Sequence, residues 1–159
     1  MKNAVMMALM AAASCVMQAQ VVVKHLQTEA SPIASGVWAG DTFYLSGTLA
    51  SPVKPADAAK GTPADYGDTK TQAASVFAKI QASLKEQGLD MKDVVKMTVF
   101  LAADPKTGKM DFAAMQSEYV KFFGTKEQAN KPARSTVQVA ALVAPWAMVE
   151  VEVIAVKGK

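Results

Sequence analysis

The chain reads as an α+β domain, a mixed sheet with two helices laid on one face. Three observations lead there. Short β-branched and apolar runs lie towards both ends, two stretches between them carry apolar residues at helical spacing, and the resulting order is β-β-α-β-α-β-β. At 159 residues the chain has room for one domain with a core, since domains of this size bury about two-thirds of their unfolded surface.

Residues 1–19 stand apart from that domain. Met1-Lys2-Asn3 is a short positive start, Ala4 to Ala13 is an apolar run, and small residues follow. This is the pattern of a signal peptide, because about ten apolar residues are too few for a bilayer core that needs about 20. No membrane span is expected. Two exits stay open: cleavage after Ala19, which releases residues 20–159 as a soluble periplasmic or secreted domain, or a lipid anchor on Cys15, where Ala12-Ala13-Ser14-Cys15 loosely resembles a lipoprotein box. Cleavage after Ala19 removes the only cysteine, and with it any disulfide, thiol nucleophile or thiolate ligand.

Val21-Val22-Val23 opens the domain as a first strand, and Thr42 to Thr48 follows the Gly40-Asp41 turn as a second. Residues 51–67 contain Pro52, Pro55, Gly61 and Pro63 together with Asp57 and Asp65, and read as a loop. A loop that long is either a lid or binding element or a tolerated insertion. From Asp68 the period changes. Ala73, Val76, Phe77, Ile80 and Leu84 fall on one helical stripe, and Gly88 stands where a left-handed C-terminal cap belongs. Val94 to Leu101 is β-branched and apolar, a third strand. A second helix starts near Asp111, with Phe112, Met115, Tyr119 and Phe122 on its stripe and Gly124 ending it. Strands from Arg134 and from Met148 complete the set.

Lys and Arg number 17 against 14 Asp and Glu, without a basic run, so nucleic acid is not an expected partner. His25 is the only histidine. A zinc site or a Ser-His-Asp triad is then hard to assemble, and His25 reads as structural. No Gly-x-Ser-x-Gly, dinucleotide or phosphate-loop spacing occurs, so no nucleotide cofactor is indicated. Trp38 and Trp146 read as packing residues.

Two positions carry candidate chemistry. Arg134 follows Pro132 at a strand entry, where its planar fork can hold a carboxylate through charge-assisted hydrogen bonds; the same placement suits a surface arginine paired with an acid. Glu150 and Glu152 alternate with Val149, Val151 and Val153. A carboxylate there can position water, and a solvated sheet face produces the same alternation. One cation and one carboxylate on what read as neighbouring strands suggest a small-molecule site.

Gly88-Leu89-Asp90, the run Val94 to Leu101, Asp111-Phe112 with Tyr119 and Phe122-Phe123, Pro132-Ala133-Arg134-Ser135, and Val149-Glu150-Val151-Glu152 together resemble the reactive intermediate deaminase (Rid, YjgF) family. The likeness runs from about Ser31 to Val156. It implies a chorismate-mutase-like fold, a homotrimer with sites between subunits, and hydrolysis of 2-imino or enamine acids to 2-keto acids and ammonia without metal or cofactor. Within it, Arg134 matches the arginine that holds the substrate carboxylate, Glu150 the glutamate that positions water, and Ser46-Gly47 the segment that lines the pocket. Thr136 stands where many members have a cysteine whose backbone contacts the ligand. Departures are Ser31-Pro32-Ile33 in place of Gly-Pro-Tyr, Gln116 in place of an asparagine, and one extra residue between Arg134 and Glu150. The function implied is an exported imine or enamine deaminase, with Ile33 and Gln116 among its substrate contacts. The alternative is a small-carboxylate-binding protein of the same fold without turnover, and ribonuclease or holdase activity is a third reading.

Overall fold

The computed structural model of the chain describes residues 20–158. The expected signal segment and Cys15 lie outside the described residues. The elements are β1 (Val23–Leu26), β2 (Gly36–Ala39), β3 (Thr42–Leu49), α1 (Thr69–Glu86), β4 (Val94–Leu101), α2 (Phe112–Tyr119), β5 (Ala133–Gln138) and β6 (Val149–Val156). They form one six-stranded sheet in the order β1-β2-β3-β6-β4-β5. Only β4 and β5 run parallel, joined through α2; every other neighbouring pair is antiparallel.

The sheet has one strand more than the sequence reading counts, and the extra one is β2. Its four residues, Gly-Val-Trp-Ala, are too few to display a period. It forms because the two-residue Gly40-Asp41 link folds it back onto β3, with Ala39 opposite Thr42. Val21 and Val22 fall outside β1, and with Val23 they are exposed.

One face of the sheet is the core. Phe43 and Leu45 of β3, Met97, Val99 and Leu101 of β4, and Val149, Val151, Val153 and Ala155 of β6 are all buried against Val76, Phe77, Ile80 and Leu84 of α1 and Met115 of α2. Both helices therefore cover one face, as the binary pattern requires. The opposite face carries Tyr44, Lys96, Thr98, Glu150, Glu152 and Ile154, none of them buried.

Local signals set the helix ends. Asp68 caps α1 by accepting from Thr71 N at 2.8 Å. At the other end Gly88 takes φ 73°, which costs a glycine nothing. Gly88 N then donates to Lys85 O and Leu89 N to Leu84 O, a Schellman closure with Leu84 and Leu89 both buried. Asp111 caps α2 through Ala114 N at 2.9 Å. This helix is shorter than its apolar stripe implies. Regular helix stops at Tyr119 and continues as turns to Gly124, and Phe112 is exposed instead of packed inward.

The segment entering β6 is tied to α1 by one buried side chain. Gln72 donates from Nε2 to Trp146 O at 3.0 Å and accepts from Met148 N at 2.8 Å. The loop over residues 51–67 has structure of its own. It closes through bridges between Lys54 and Asp65 and between Asp57 and Thr62, and Tyr66 stacks on Trp146 with ring centroids 3.4 Å apart.

The N–H and hydroxyl of Thr71 hold the Asp68 carboxyl below the ordinary aspartate value of 3.8. Its contribution to stability is therefore present above that value and lost as pH falls through the lower folded value. Asp68→Ala is expected to cost about 1 kcal/mol at pH 7. Denaturant titrations of both proteins should show the gap closing at acid pH below 3.8.

Candidate functional site

Arg134 lies on β5, an edge strand, opposite Met97 of β4. Met97 is buried, so the arginine points to the helix side of the sheet, half-buried under α2. Two α2 residues hold the guanidinium. Gln116 Oε1 accepts from Nη2 at 2.7 Å, and the Tyr119 ring lies under Cζ at 4.1 Å. The Phe112 ring flanks it at 5.9 Å. A hydrogen bond from a charged donor contributes about 1.5–3 kcal/mol and a desolvated cation–π contact up to about 2 kcal/mol, enough together to keep a long side chain in one rotamer. Burial pushes the Tyr119 hydroxyl above the ordinary tyrosine range, against the lowering pull of Arg134, so the ring stays neutral beneath the cation. Arg134 Nη1 is buried and has no hydrogen-bond partner among the described residues, and neither has Thr136 Oγ1. A cavity of about 450 Å³ opens beside Arg134, lined by Gln116, Tyr119, Val120, Phe123, Gly124, Lys131 and Pro132. It is a cationic, aromatic-floored place for a small anion.

Glu150 is built into the other face. On β6 it pairs with Leu49 of β3 and Phe100 of β4. The β3 register shifts between Leu45 and Thr48, leaving Ser46 and Gly47 together opposite one β6 residue, a bulge that turns both towards the open face. The Glu150 side chain lies over Gly47, where any Cβ would come within 2.9 Å of its carboxyl carbon. A side chain at this position would therefore displace the Glu150 carboxylate; space, not backbone angle, is what favours glycine. Ser46 ties in the preceding loop: its Oγ donates to Ala34 O at 2.7 Å and its N–H to Ser35 O. Ile33, next to Ala34, is 65% exposed.

The seven residues singled out from the sequence thus fall into two clusters. Arg134 and Gln116 meet between β5 and α2, and Thr136 lies two residues further along β5, opposite Val99. Glu150, Ser46, Gly47 and the Ile33 loop meet on the open face. One inference from the sequence is corrected: β5 and β6 are not neighbours, because β4 lies between them. In register Arg134 and Glu150 are three residues apart along β4, which is about 10 Å, and two strand spacings apart across the sheet, again about 10 Å. They also point from opposite faces. The clamp residue that the sequence reading missed is Tyr119, taken there as core; its i+3 spacing from Gln116 places both on one turn of α2, which is the signal that was available. His25 is exposed on β1, opposite Val37 of β2. Among the described residues no helix is long and apolar enough to cross a membrane.

The model of the family described as Endoribonuclease L-PSP matches residues 26–157. The chain belongs to this family, the Rid or YjgF family that its motifs resemble. Among its relatives, the 2-iminobutanoate/2-iminopropanoate deaminase of Salmonella typhimurium is 34% identical over 134 residues, covering 84% of this chain and 98% of the relative. A putative reactive intermediate deaminase of Escherichia coli, TdcF, is 36% identical over 127 residues, covering 80% and 88%. The crystal structure of Escherichia coli TdcF with bound serine superposes with a TM-score of 0.64 at 32% identity, covering 85% of this chain and 99% of that one. The mixed sheet with two helices on one face is the Rid-family fold.

The contact between Gly47 and Glu150 predicts that Gly47→Ala displaces the carboxylate. A crystal structure of the variant should show Glu150 swung off β3, with stability in chemical denaturation close to wild type, because only the end of a flexible side chain has to move at an exposed position.

Proposed function

We propose that this protein hydrolyses small 2-imino acids, such as 2-iminobutanoate or 2-iminopropanoate, to 2-keto acids and ammonia. The observation that carries the reading is the braced guanidinium of Arg134, held by Gln116 and Tyr119 with Nη1 left without a partner beside a cavity of small-molecule size. A relative at 34% identity is named for this reaction. In the proposed mechanism Arg134 holds the substrate carboxylate and so fixes the imine carbon. Glu150 orients a water and accepts one of its protons as the oxygen bonds to that carbon. That proton passes to nitrogen to give the carbinolamine; the carbinolamine's hydroxyl proton then moves to the nitrogen through the same carboxylate, the C–N bond breaks, and the carbonyl forms as ammonia leaves. An imine carbon is already electrophilic, so placement and a single base suffice, with no nucleophilic side chain and no cofactor.

Arg134 and Glu150 point from opposite faces of one sheet, so a single copy does not present both to one substrate. The reading therefore includes assembly as a homotrimer, in which the Arg134 cluster of one copy meets the Glu150 cluster of the next. The half-exposed apolar groups of the open face, Tyr44 and Val137, and the partly buried Ile154 suit such a contact. We also propose that residues 1–19 direct export, so that the reaction runs outside the cytosol.

A second reading, binding without turnover, has an observation in its favour. Ile33 offers no hydroxyl at the mouth of the Glu150 cluster, and the solved relative TdcF holds serine. RNA cleavage has less to rest on, since 17 cations against 14 acids without a basic run make a poor backbone track.

The test is decay of 2-iminobutanoate generated in situ by an amino-acid oxidase. Arg134→Ala should lower kcat/KM by roughly 10- to 100-fold, the value of one or two charge-assisted hydrogen bonds. Glu150→Gln should lower kcat by about 10²–10⁴-fold with the oligomer unchanged in light scattering. No acceleration by the wild-type protein, together with Arg134-dependent binding of keto acids, would establish the binding reading instead. Intact mass of the exported protein should equal residues 20–159; a diacylglycerol-modified Cys15 at the amino terminus would replace the soluble form with the anchored one.

A further inference from the structure

The cavity beside Arg134 has a second cation on its wall, Lys131, and no Asp or Glu among its lining residues. Lys131 stands just before Pro132-Ala133-Arg134-Ser135, outside the motif that carries the family resemblance. Its stem has a built seat. Gly124, where the turns after α2 end, takes φ 72°, and a Cβ there would collide with Lys131 Cε and come within 3.4 Å of Nζ and 3.5 Å of Cδ. Backbone angle and space together favour glycine at this position. Lysines on the neighbouring segments are engaged, Lys121 with the Glu118 carboxylate and Lys96 with the Ser135 hydroxyl. Lys131 is exposed and has no ion pair among the described residues, which leaves its charge to a ligand in the cavity. The floor between the two cations is apolar. Arg134 lies on the Tyr119 ring at 4.1 Å, Tyr119 stacks on Phe123 at 4.9 Å, and Gly124 with the Lys131 stem follows directly. Tyr119 and Gly124 are five residues apart in helix-like turns, an interval of about 7 Å. Two cations at the ends of two stacked rings are complementary to a ligand with two acidic groups joined by a short carbon chain.

We propose that Lys131 holds a second acidic group of the substrate, so that the site takes 2-imino acids with a carboxylate at the far end of a short side chain in preference to monocarboxylic ones. This rests on the deaminase reading of the Arg134 site and narrows its substrate class to the imines of acidic amino acids. Arg134 keeps the carboxylate next to the imine carbon, and Lys131 Nζ donates to the distal one while the methylenes lie on Tyr119 and Phe123. Lys131 thus sets specificity, and hydrolysis at the imine carbon does not pass through it. Water and salt screen a contact at an exposed lysine, so the preference it confers is about five- to tenfold.

Calorimetric titration with 2-oxoglutarate and 2-oxopentanoate, keto acids of equal chain length with and without the second carboxylate, tests this on the wild-type protein and on Lys131→Met, Lys131→Arg and Arg134→Ala. The wild-type protein should bind 2-oxoglutarate about five- to tenfold more tightly than 2-oxopentanoate. Lys131→Met keeps a stem over Gly124 and removes the charge, so it should bind both acids within about twofold of the wild-type affinity for 2-oxopentanoate. Lys131→Arg should retain the preference. Equal affinities in the wild-type protein, or a preference that survives in Lys131→Met, overturn the inference; so does a Lys131→Met variant that binds both acids more weakly by the same factor, which would assign Lys131 to the shape of the cavity. In each of these cases loss of 2-oxopentanoate binding in Arg134→Ala leaves the deaminase reading of the Arg134 site standing. Normal binding in Arg134→Ala, or no binding of either acid by the wild-type protein, overturns both.

Discussion

β6 is paired on both edges, to β3 on one side and β4 on the other, and the rest of the domain is arranged around it. Its alternation of Val149, Val151, Val153 and Ala155 with Glu150, Glu152 and Ile154 gives it one buried face and one open face. A slip of one residue would place two carboxylates against α1 and four apolar side chains in water, so the register has no close competitor. Gln72 reinforces it from the helix layer by holding Trp146 and Met148 just before the strand begins. Glu150 inherits its position from this pairing, and the bulge at Ser46-Gly47 provides the space for its carboxylate.

The same alternation divides the chemistry between two faces. Arg134 belongs to the helix side because β5 runs parallel to β4 in a register that sets it beside buried Met97. Glu150 belongs to the open side because it is opposite Phe100, three residues further on. An odd number of residues along a strand reverses the side, and no rotamer undoes that. The side-chain contacts that hold the Arg134 guanidinium come from α2, so the helix between β4 and β5 positions this side chain as well as covering the core. Imine hydrolysis as proposed needs both groups on one substrate, which is why a second copy of the chain enters the reading.

Much of this was legible in the residues. The Asp68 and Asp111 caps, the Gly88 terminus, the stripe through Val76, Ile80 and Leu84, and the valines of β6 are local signals, and α1, the start of α2 and β6 stand where those signals are. What local pattern missed is equally specific. β2 is four residues long and exists only through its partner β3. Phe112 sits at a helical position compatible with the core stripe yet is exposed beside Arg134, because α2 overhangs an edge strand where the core ends. The loop over residues 51–67 is held by the Tyr66–Trp146 stack, a contact between residues 80 positions apart that no window along the chain displays.

By itself, then, the sequence determined both helices, the strands other than β2, the two faces of β6, the family and the identity of the residues to watch, since all of these follow from periodicity, caps and motifs within short spans. Only the tertiary structure decided which residues meet. Strand order put β4 between Arg134 and Glu150, and parity along the strands sent them to opposite faces. Packing of α2 on the β5 edge gave Arg134 its Gln116 and Tyr119 partners and left Nη1 and the Thr136 hydroxyl without any. Such facts depend on pairings between distant segments, and the free energy that selects those pairings comes from the whole core.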